Sequence, residues 1–299
     1  MNWIVSALFA QSVITVVIFI DKYIVSKEVN DYRGMPIYTT IMGFVAGAVF
    51  WIISGFPILA LRDAIIVIAT GMLTIWAAAL YFEAVSLEDA SKLTLLFQMS
   101  PAFTLIMAVL FLKENISFSQ LLGFVLIFGA AIWVSVEKGN QKFKLSRTFW
   151  LILIVDLMWA VAAILIKFAL DANSFAKILS FESWGLGIGG TILYFGFSSI
   201  RDAFHESIRT VRRRALGIMF ANEGIFVIAK SINYFAYSIG PAALVSVVGS
   251  TSVFFGILYG LVLTLFVPKL IKENILTEEM SKKLFAAIML ISGLWLVYK

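Results

Sequence analysis

The chain has 299 residues, 61% hydrophobic and 14% charged, with a mean hydropathy of +0.98. Soluble domains contain about 45–50% apolar and about 25% charged residues, so this composition indicates an integral membrane protein. There is no cysteine and only one histidine, which excludes disulfides and thiolate ligands and argues against a His-based metal site or a Ser-His-Asp triad. We therefore expect no enzyme, metal or cofactor. The net charge of +5 comes mainly from residues between apolar segments, so it does not indicate nucleic-acid binding.

Ten apolar segments are long enough to cross a bilayer as helices, the structure that satisfies the backbone inside lipid. They are residues 3–20, 36–56, 64–85, 91–112, 118–136, 149–170, 178–198, 215–237, 241–267 and 282–298. No long soluble domain separates them. The polar connection 199–214 ends in three arginines, a pattern typical of contact with anionic lipid headgroups.

Two features predict the geometry of individual spans. Gly43 and Gly47 are four residues apart in the second span, a spacing that suits close helix packing. Pro101 lies inside the fourth span, where it removes a backbone hydrogen bond about one turn earlier and is expected to kink the helix.

The eighth span is the most polar of the ten and carries Asn222, Glu223, Lys230 and Asn233. A charged side chain at the membrane centre costs about 2.5–3.5 kcal/mol on insertion scales. Such a residue usually faces a protein interior or a wet cavity. Glu223 and Lys230 are seven residues apart and share a helix face, which indicates the wall of a polar cavity that handles substrate or protons. The alternative is a structural ion pair that holds helices together.

Polar and aromatic side chains in the other spans are further candidates. Asp156 lies in the first half of the sixth span, either at a cavity mouth or near the interface. The remaining substrate or coupling candidates are Gln11, Thr15, Gln98, Ser100, Ser250, Thr251, Trp159 and Tyr234. Serine and threonine in membrane helices often serve packing instead, and most aromatic residues of such a chain face lipid or core.

An internal repeat divides the chain into two halves. The tetrad Lys-Glu-Asn-Ile occurs at residues 113–116 and 272–275, each time before the last span of its half. Upstream, Ala84-Val85-Ser86 matches Ala236-Tyr237-Ser238. Five spans per half force the two halves to insert in opposite orientations, and inverted repeats are typical of secondary transporters. We predict an all-α membrane protein with ten transmembrane helices as two five-helix inverted repeats, residues 1–137 and 149–299, joined by a linker at 138–148.

The segment YFEAVSLEDASKLTLLFQMSPAFTLIMAVLFLKENIS, residues 81–117, resembles the EamA-type branch of the drug/metabolite transporter superfamily. Pro101 matches that family's proline, and Glu114 and Glu273 match its acidic residues after spans four and nine. Val253 stands where the second half would carry the matching proline, which departs from a strictly symmetric cavity. The resemblance implies a cavity lined by spans one, three, four, six, eight and nine, with spans five and ten peripheral, and export or exchange of small metabolites.

The predicted function is secondary transport of a small amino-acid-like, polar or amphipathic solute by alternating access. The expected partners are this substrate and membrane lipid. No GxxxxGK[ST] motif is present, so the chain does not drive transport by its own ATP hydrolysis. The alternatives are a flippase or carrier for a small-headgroup lipid, a membrane-embedded enzyme, and a channel. We expect the cell (inner) membrane; the Lys/Arg distribution favours both termini outside the cytoplasm, whereas the resemblance favours both inside.

Overall fold

A computed structural model of the protein describes residues 2–112, 117–135, 145–240, 242–268 and 277–298. These residues form α-helices joined by short connections, with a 3-10 turn at Tyr32–Gly34 and no strand among the described elements. The helices are α1 Trp3–Lys27, α2 Met35–Ile53, α3 Leu61–Leu87, α4 Ala90–Leu96, α5 Met99–Leu112, α6 Phe118–Ser135, α7 Arg147–Ala172, α8 Phe175–Gly196, α9 Ser198–Thr210, α10 Arg213–Ile239, α11 Ala242–Gly249, α12 Ser252–Phe266 and α13 Thr277–Tyr298. The protein is therefore all-helical, as its composition indicated.

Five described segments are long and apolar enough to cross a membrane: Trp3–Lys27, Tyr32–Ile53, Leu61–Leu87, Arg147–Ala172 and Arg213–Ile239. At 1.5 Å per residue, a helix of about 20 residues already matches a hydrocarbon core of roughly 30 Å. The structure thus supplies helices of membrane-spanning length in both halves of the sequence.

The fourth and ninth predicted spans are each broken into two helices. The first break lies at Phe97–Gln98, between α4 and α5, about one turn before Pro101, as the proline predicted. The second lies at Ser250–Thr251, between α11 and α12, although Val253 replaces the proline there. The Thr251 hydroxyl donates to the Val248 carbonyl over 2.8 Å, a local bond of the kind that competes with helix continuation. The break therefore recurs in both halves.

Two connections differ from the predictions. The polar connection 199–214 is largely helical: α9 is amphipathic and buries Ile200, Ala203 and Phe204. It packs on the 3-10 turn, where a Cβ on Gly34 would lie 2.7 Å from the Phe204 amide nitrogen. Helix α1 continues to Lys27 instead of ending near residue 20, because its apolar pattern extends beyond Asp21.

Close packing against α8 fixes the centre of the bundle. Cβ atoms on Gly43 and Gly47 would lie within about 3 Å of α8 atoms, so the predicted packing role of both glycines is confirmed. Helix α3 approaches α8 even more closely, because a Cβ on Gly71 would overlap the Glu182 carbonyl oxygen. The helix that carries Glu182 is thus held by backbone contact on two sides.

Helices of the first half pack against helices of the second half in matching pairs. Helix α1 packs along α10 while α3 packs along α7, and α4 contacts α12 while α5 contacts α11. Lys22 of α1 donates its Nζ proton to the Val85 carbonyl over 2.9 Å, and Lys167 of α7 donates to the Tyr237 carbonyl over 3.2 Å. Val85 and Tyr237 are the central residues of the two matched tripeptides. The two Lys-Glu-Asn-Ile tetrads, with Glu114 and Glu273, lie outside the described residues.

The contact between α3 and α8 gives a first prediction. Gly71→Ala places a methyl group against the α8 backbone and should lower the free energy of unfolding by about 1–3 kcal/mol. Thermal unfolding in detergent measures the change. Gly217→Ala is the matched control: nothing lies within 4 Å of its Cβ, and alanine favours the helix by roughly 1 kcal/mol. Equal stability of the two variants would contradict the close contact.

Candidate functional site

A cavity of about 260 Å³ lies between helices from both halves of the chain. It is lined by side chains of spans one, three, four, six, eight and nine, the set that the resemblance implied. Thr39 of α2 and Leu186 of α8 also reach it, so the implied set was incomplete. No described residue of α6 or α13 is among the lining residues. The lining residues predicted from the sequence are Gln11, Gln98, Ser100, Pro101, Asp156, Trp159, Glu223, Lys230, Asn233 and Tyr234.

A buried ion pair stands at one wall of the cavity. The Lys230 Nζ of α10 lies 2.6 Å from Oε2 of Glu182 in α8, and the two side chains are 6% and 0% exposed. The Tyr234 hydroxyl donates to Oε1 of Glu182 over 3.3 Å. The Lys230 ammonium also lies 5.9 Å from the Phe226 ring centroid and 5.8 Å from that of Tyr234, within cation–π distance. Both charges are therefore neutralised inside the protein.

The ion pair of Lys230 is not the one with Glu223 that the sequence suggested. A pair between Glu223 and Lys230 would join two turns of one helix, a rise of roughly 10 Å. Lys230 pairs instead with Glu182, a residue on a neighbouring helix that the sequence analysis did not select. Glu223 still lines the cavity, where it interacts electrostatically with Asp21 and Lys230 and approaches the Thr39 hydroxyl.

A second polar cluster forms around Asp21 of α1. The Tyr81 hydroxyl donates to Oδ2 of Asp21 and the Asn222 amide donates to Oδ1, each over 2.8 Å. The Asp21 side chain is buried and lines the cavity together with Tyr81. Asn222 does not line the cavity, and its role in this structure is to hold Asp21 in place.

Asp156 of α7 is fully buried and lines the cavity. Neither of its carboxylate oxygens has a hydrogen-bond partner within the described residues, and the same holds for Trp159 Nε1 one turn later. The Trp159 ring packs beside Tyr81 and Phe97, with ring centroids 6.0 and 5.5 Å away. An unpartnered carboxylate thus adjoins an aromatic cluster.

The two helix breaks meet at the cavity. Gln98, at the first break, donates its amide Nε2 to the Thr94 carbonyl over 2.8 Å and to the Ser252 hydroxyl, just after the second break, over 3.1 Å. Ser100 and Pro101 line the cavity beyond the first break, and Ser246, Gly249 and Ser252 line it around the second. The proposed kink at Pro101 therefore helps to shape the cavity wall.

Three further predicted candidates lie away from the lining. Thr15 is buried and donates to the Gln11 carbonyl over 2.8 Å. Ser250 is buried with no partner for its hydroxyl in the described part of the chain, and Thr251 bonds to Val248. Thr15 and Thr251 thus bond to nearby backbone carbonyls, the alternative considered for serine and threonine.

Sequence reasoning missed Asp21, Tyr81, Thr39 and Glu182. Asp21 precedes Lys22, so the pair resembled the end of a helix at the membrane surface. Glu182 lies near the start of its apolar segment. The signal that could have found both is the continuation of apolar residues on each side of the charge.

Within the described residues, no group of three or more His, Cys, Asp or Glu side chains is arranged to hold a metal ion. The carboxyl groups that line the cavity, Asp21, Asp156 and Glu223, belong to three different helices, α1, α7 and α10.

Comparison with known families matches residues 2–136 to the model of the EamA-like transporter family. The matched segment covers the first predicted half of the chain, which is similar to this family. This match confirms the resemblance seen in the sequence. It indicates an integral membrane protein that transports small solutes, in a family that is generally non-enzymatic.

Comparison with solved structures shows a similar fold over almost the whole chain. A crystal structure of another protein aligns with a TM-score of 0.62 at 13% identity, over 98% of this chain and 94% of that chain. At this identity the likeness shows the fold alone. No curated protein matches the sequence.

The buried ion pair gives a second prediction. Lys230→Met leaves Glu182 buried without its cation and should lower the free energy of unfolding by about 3–5 kcal/mol. Adding Glu182→Gln should restore part of the loss. Lys27→Met, at the exposed end of α1, is the control and should change the free energy by less than about 0.5 kcal/mol. Thermal unfolding in detergent measures these changes. A Lys230→Met variant as stable as the Lys27→Met control would contradict the role of the ion pair.

Proposed function

We propose that the protein is a secondary transporter that moves a small polar or amphipathic metabolite by alternating access. The observation that carries the proposal is the cavity itself, which lies between both halves of the chain and is lined by carboxyl, amide and aromatic side chains. Polar sites at the interface of two repeats are typical of secondary transporters.

The proposed architecture is ten transmembrane helices in two five-helix inverted repeats, with residues 1–137 and 149–299 as the halves. Three observations support it: the reciprocal packing of α1 with α10 and α3 with α7, the paired helix breaks, and the two lysine bonds to equivalent carbonyls. Discontinuous helices at a central site are a common feature of such transporters.

The proposed mechanism rocks the two halves about the central cavity. The broken helices are the proposed hinges of this motion. Their backbone is already interrupted at Gln98 and at Ser250–Thr251, so movement there breaks few helical hydrogen bonds. Glu223 is the proposed coupling residue, since it faces the cavity and has no ion-pair partner within 4 Å among the described residues. We place the protein in the cell (inner) membrane with both termini outside the cytoplasm, following the Lys/Arg distribution.

A lipid carrier is the second candidate. A groove of about 690 Å³ opens between α1, α10 and α12, with apolar walls that include Phe19 and Leu263 and with Arg212 and Arg214 near one end. Such a groove suits an acyl chain whose anionic headgroup meets the arginines. Transport of a fluorescent anionic phospholipid in vesicles, with no flux of soluble solutes, would favour this reading over the metabolite transporter.

The transport proposal predicts the effect of Glu223→Gln. In proteoliposomes that carry a panel of labelled metabolites, wild type should move at least one solute faster with a proton gradient than without it. Glu223→Gln should reduce the gradient-driven rate at least tenfold, equal to about 1.4 kcal/mol. Glu206→Gln, the same change at an exposed position of α9, should leave the rate unchanged.

Full gradient dependence in Glu223→Gln would remove Glu223 from coupling and shift that role to Asp156. Absence of flux for every soluble solute would contradict the metabolite transporter and favour the lipid carrier.

A further inference from the structure

The charges of the cavity wall are unbalanced. Asp21, Asp156 and Glu223 supply three carboxyl groups, and Lys230 is the basic side chain among the lining residues that the structure describes. Lys230 lies 2.6 Å from Glu182, so its positive charge is balanced by a carboxylate that is not one of these three. The wall therefore presents acidic groups and no uncommitted cation in its described part.

Asp156 is the carboxyl group whose hydrogen bonds are missing. Its side chain is 0% exposed, it lines the cavity, and both oxygens lack a partner among the described residues. Asp21, by contrast, accepts bonds from Tyr81 and Asn222. A buried carboxyl group without donors is costly, so the pattern indicates that a donor arrives from a ligand.

Aromatic rings stand next to this carboxyl group. Trp159 follows Asp156 by one helical turn, and its ring lies 5.5 Å from Phe97 and 6.0 Å from Tyr81 between centroids. All three rings line the cavity. Aromatic faces attract cations and also bury the apolar body of a ligand.

We propose that the cavity binds an organic ammonium ion, with its ammonium group on Asp156 and its apolar body against Tyr81, Phe97 and Trp159. This assignment rests on the proposed function, since it names the substrate class of the transport cavity. An ammonium group supplies the donors that the Asp156 oxygens lack, and its positive charge offsets the acidic wall. The ligand belongs to the amines that carry an aromatic or branched apolar body.

The same wall disfavours a zwitterion. The carboxylate of an amino acid needs a cation, but Lys230 is held by Oε2 of Glu182, whose Oε1 accepts a bond from the Tyr234 hydroxyl. A ligand carboxylate would instead face Asp21 and Glu223. We therefore expect the cavity to bind an amine more tightly than the amino acid that carries the same side chain.

A matched ligand series tests this assignment on the unaltered protein. The probes are 2-phenylethylamine, phenylalanine and 3-phenylpropanoate, which share the aromatic body and differ in their charged groups. Calorimetric titration of the detergent-purified protein should give the amine a dissociation constant at least tenfold below that of phenylalanine, with no detectable binding of the acid. Equal affinity for the amine and phenylalanine, stronger binding of either carboxylate ligand, or no binding of the amine would overturn the proposal.

Variants then locate the ammonium group. Asp156→Asn should weaken amine binding by about thirtyfold to several thousandfold, as expected for removal of one partner of a buried charge pair. Asp171→Asn, an exposed carboxylate on the same helix, should leave it unchanged. Unchanged amine affinity in a folded Asp156→Asn variant would contradict the assignment; if that variant does not fold, the ligand series on the wild type still decides.

Flux separates this inference from the proposed function. Binding of the amine without flux of any solute in proteoliposomes keeps the site and refutes the transporter. Flux of phenylalanine without binding of the amine keeps the transporter and refutes the ammonium site.

Discussion

The buried ion pair between Lys230 and Glu182 is the interaction on which the chemistry of the cavity depends. An isolated ammonium inside a membrane protein is costly, so Lys230 of α10 needs a partner, and it finds one in Glu182 of α8 at 2.6 Å. Once the pair has formed, the remaining charged groups of the described cavity wall are carboxyls. Asp21 is held by Tyr81 and Asn222, whereas Asp156 has no donor. One ion pair thus determines which ligand charges the cavity accommodates.

The packing of the helices explains why the cavity lies where it does. Side chains from α1, α3, α7 and α10 reach it because these helices pack in two reciprocal pairs. The breaks in spans four and nine meet at the same place and are joined by the bond from Gln98 to Ser252. Interrupted backbone at a shared central site supplies polar groups without charged side chains.

The sequence predicted the helical class, the packing glycines and the break before Pro101, because each depends on a local pattern. It did not predict the break at Ser250–Thr251, where no proline marks the position. The partner of Lys230 was also missed, since Glu182 lies 48 residues away along the chain and only helix packing joins them. Asp21 was read as a helix end because Lys22 follows it, although α1 continues to Lys27. Local patterns thus predicted which residues are polar, and tertiary packing decided which of them meet.

The most direct test of alternating access uses the absence of cysteine from the chain. Ser246→Cys places one thiol in the cavity wall, and Ser199→Cys places one on the exposed start of α9 as the control. Each variant is treated with a membrane-impermeant thiol reagent, in turn from either face of sealed vesicles. The account predicts that the cavity thiol reacts from both faces, the control thiol reacts from one face, and the reagent does not cross. A cavity thiol that reacts from a single face would contradict alternating access, and passage of the reagent would indicate a channel.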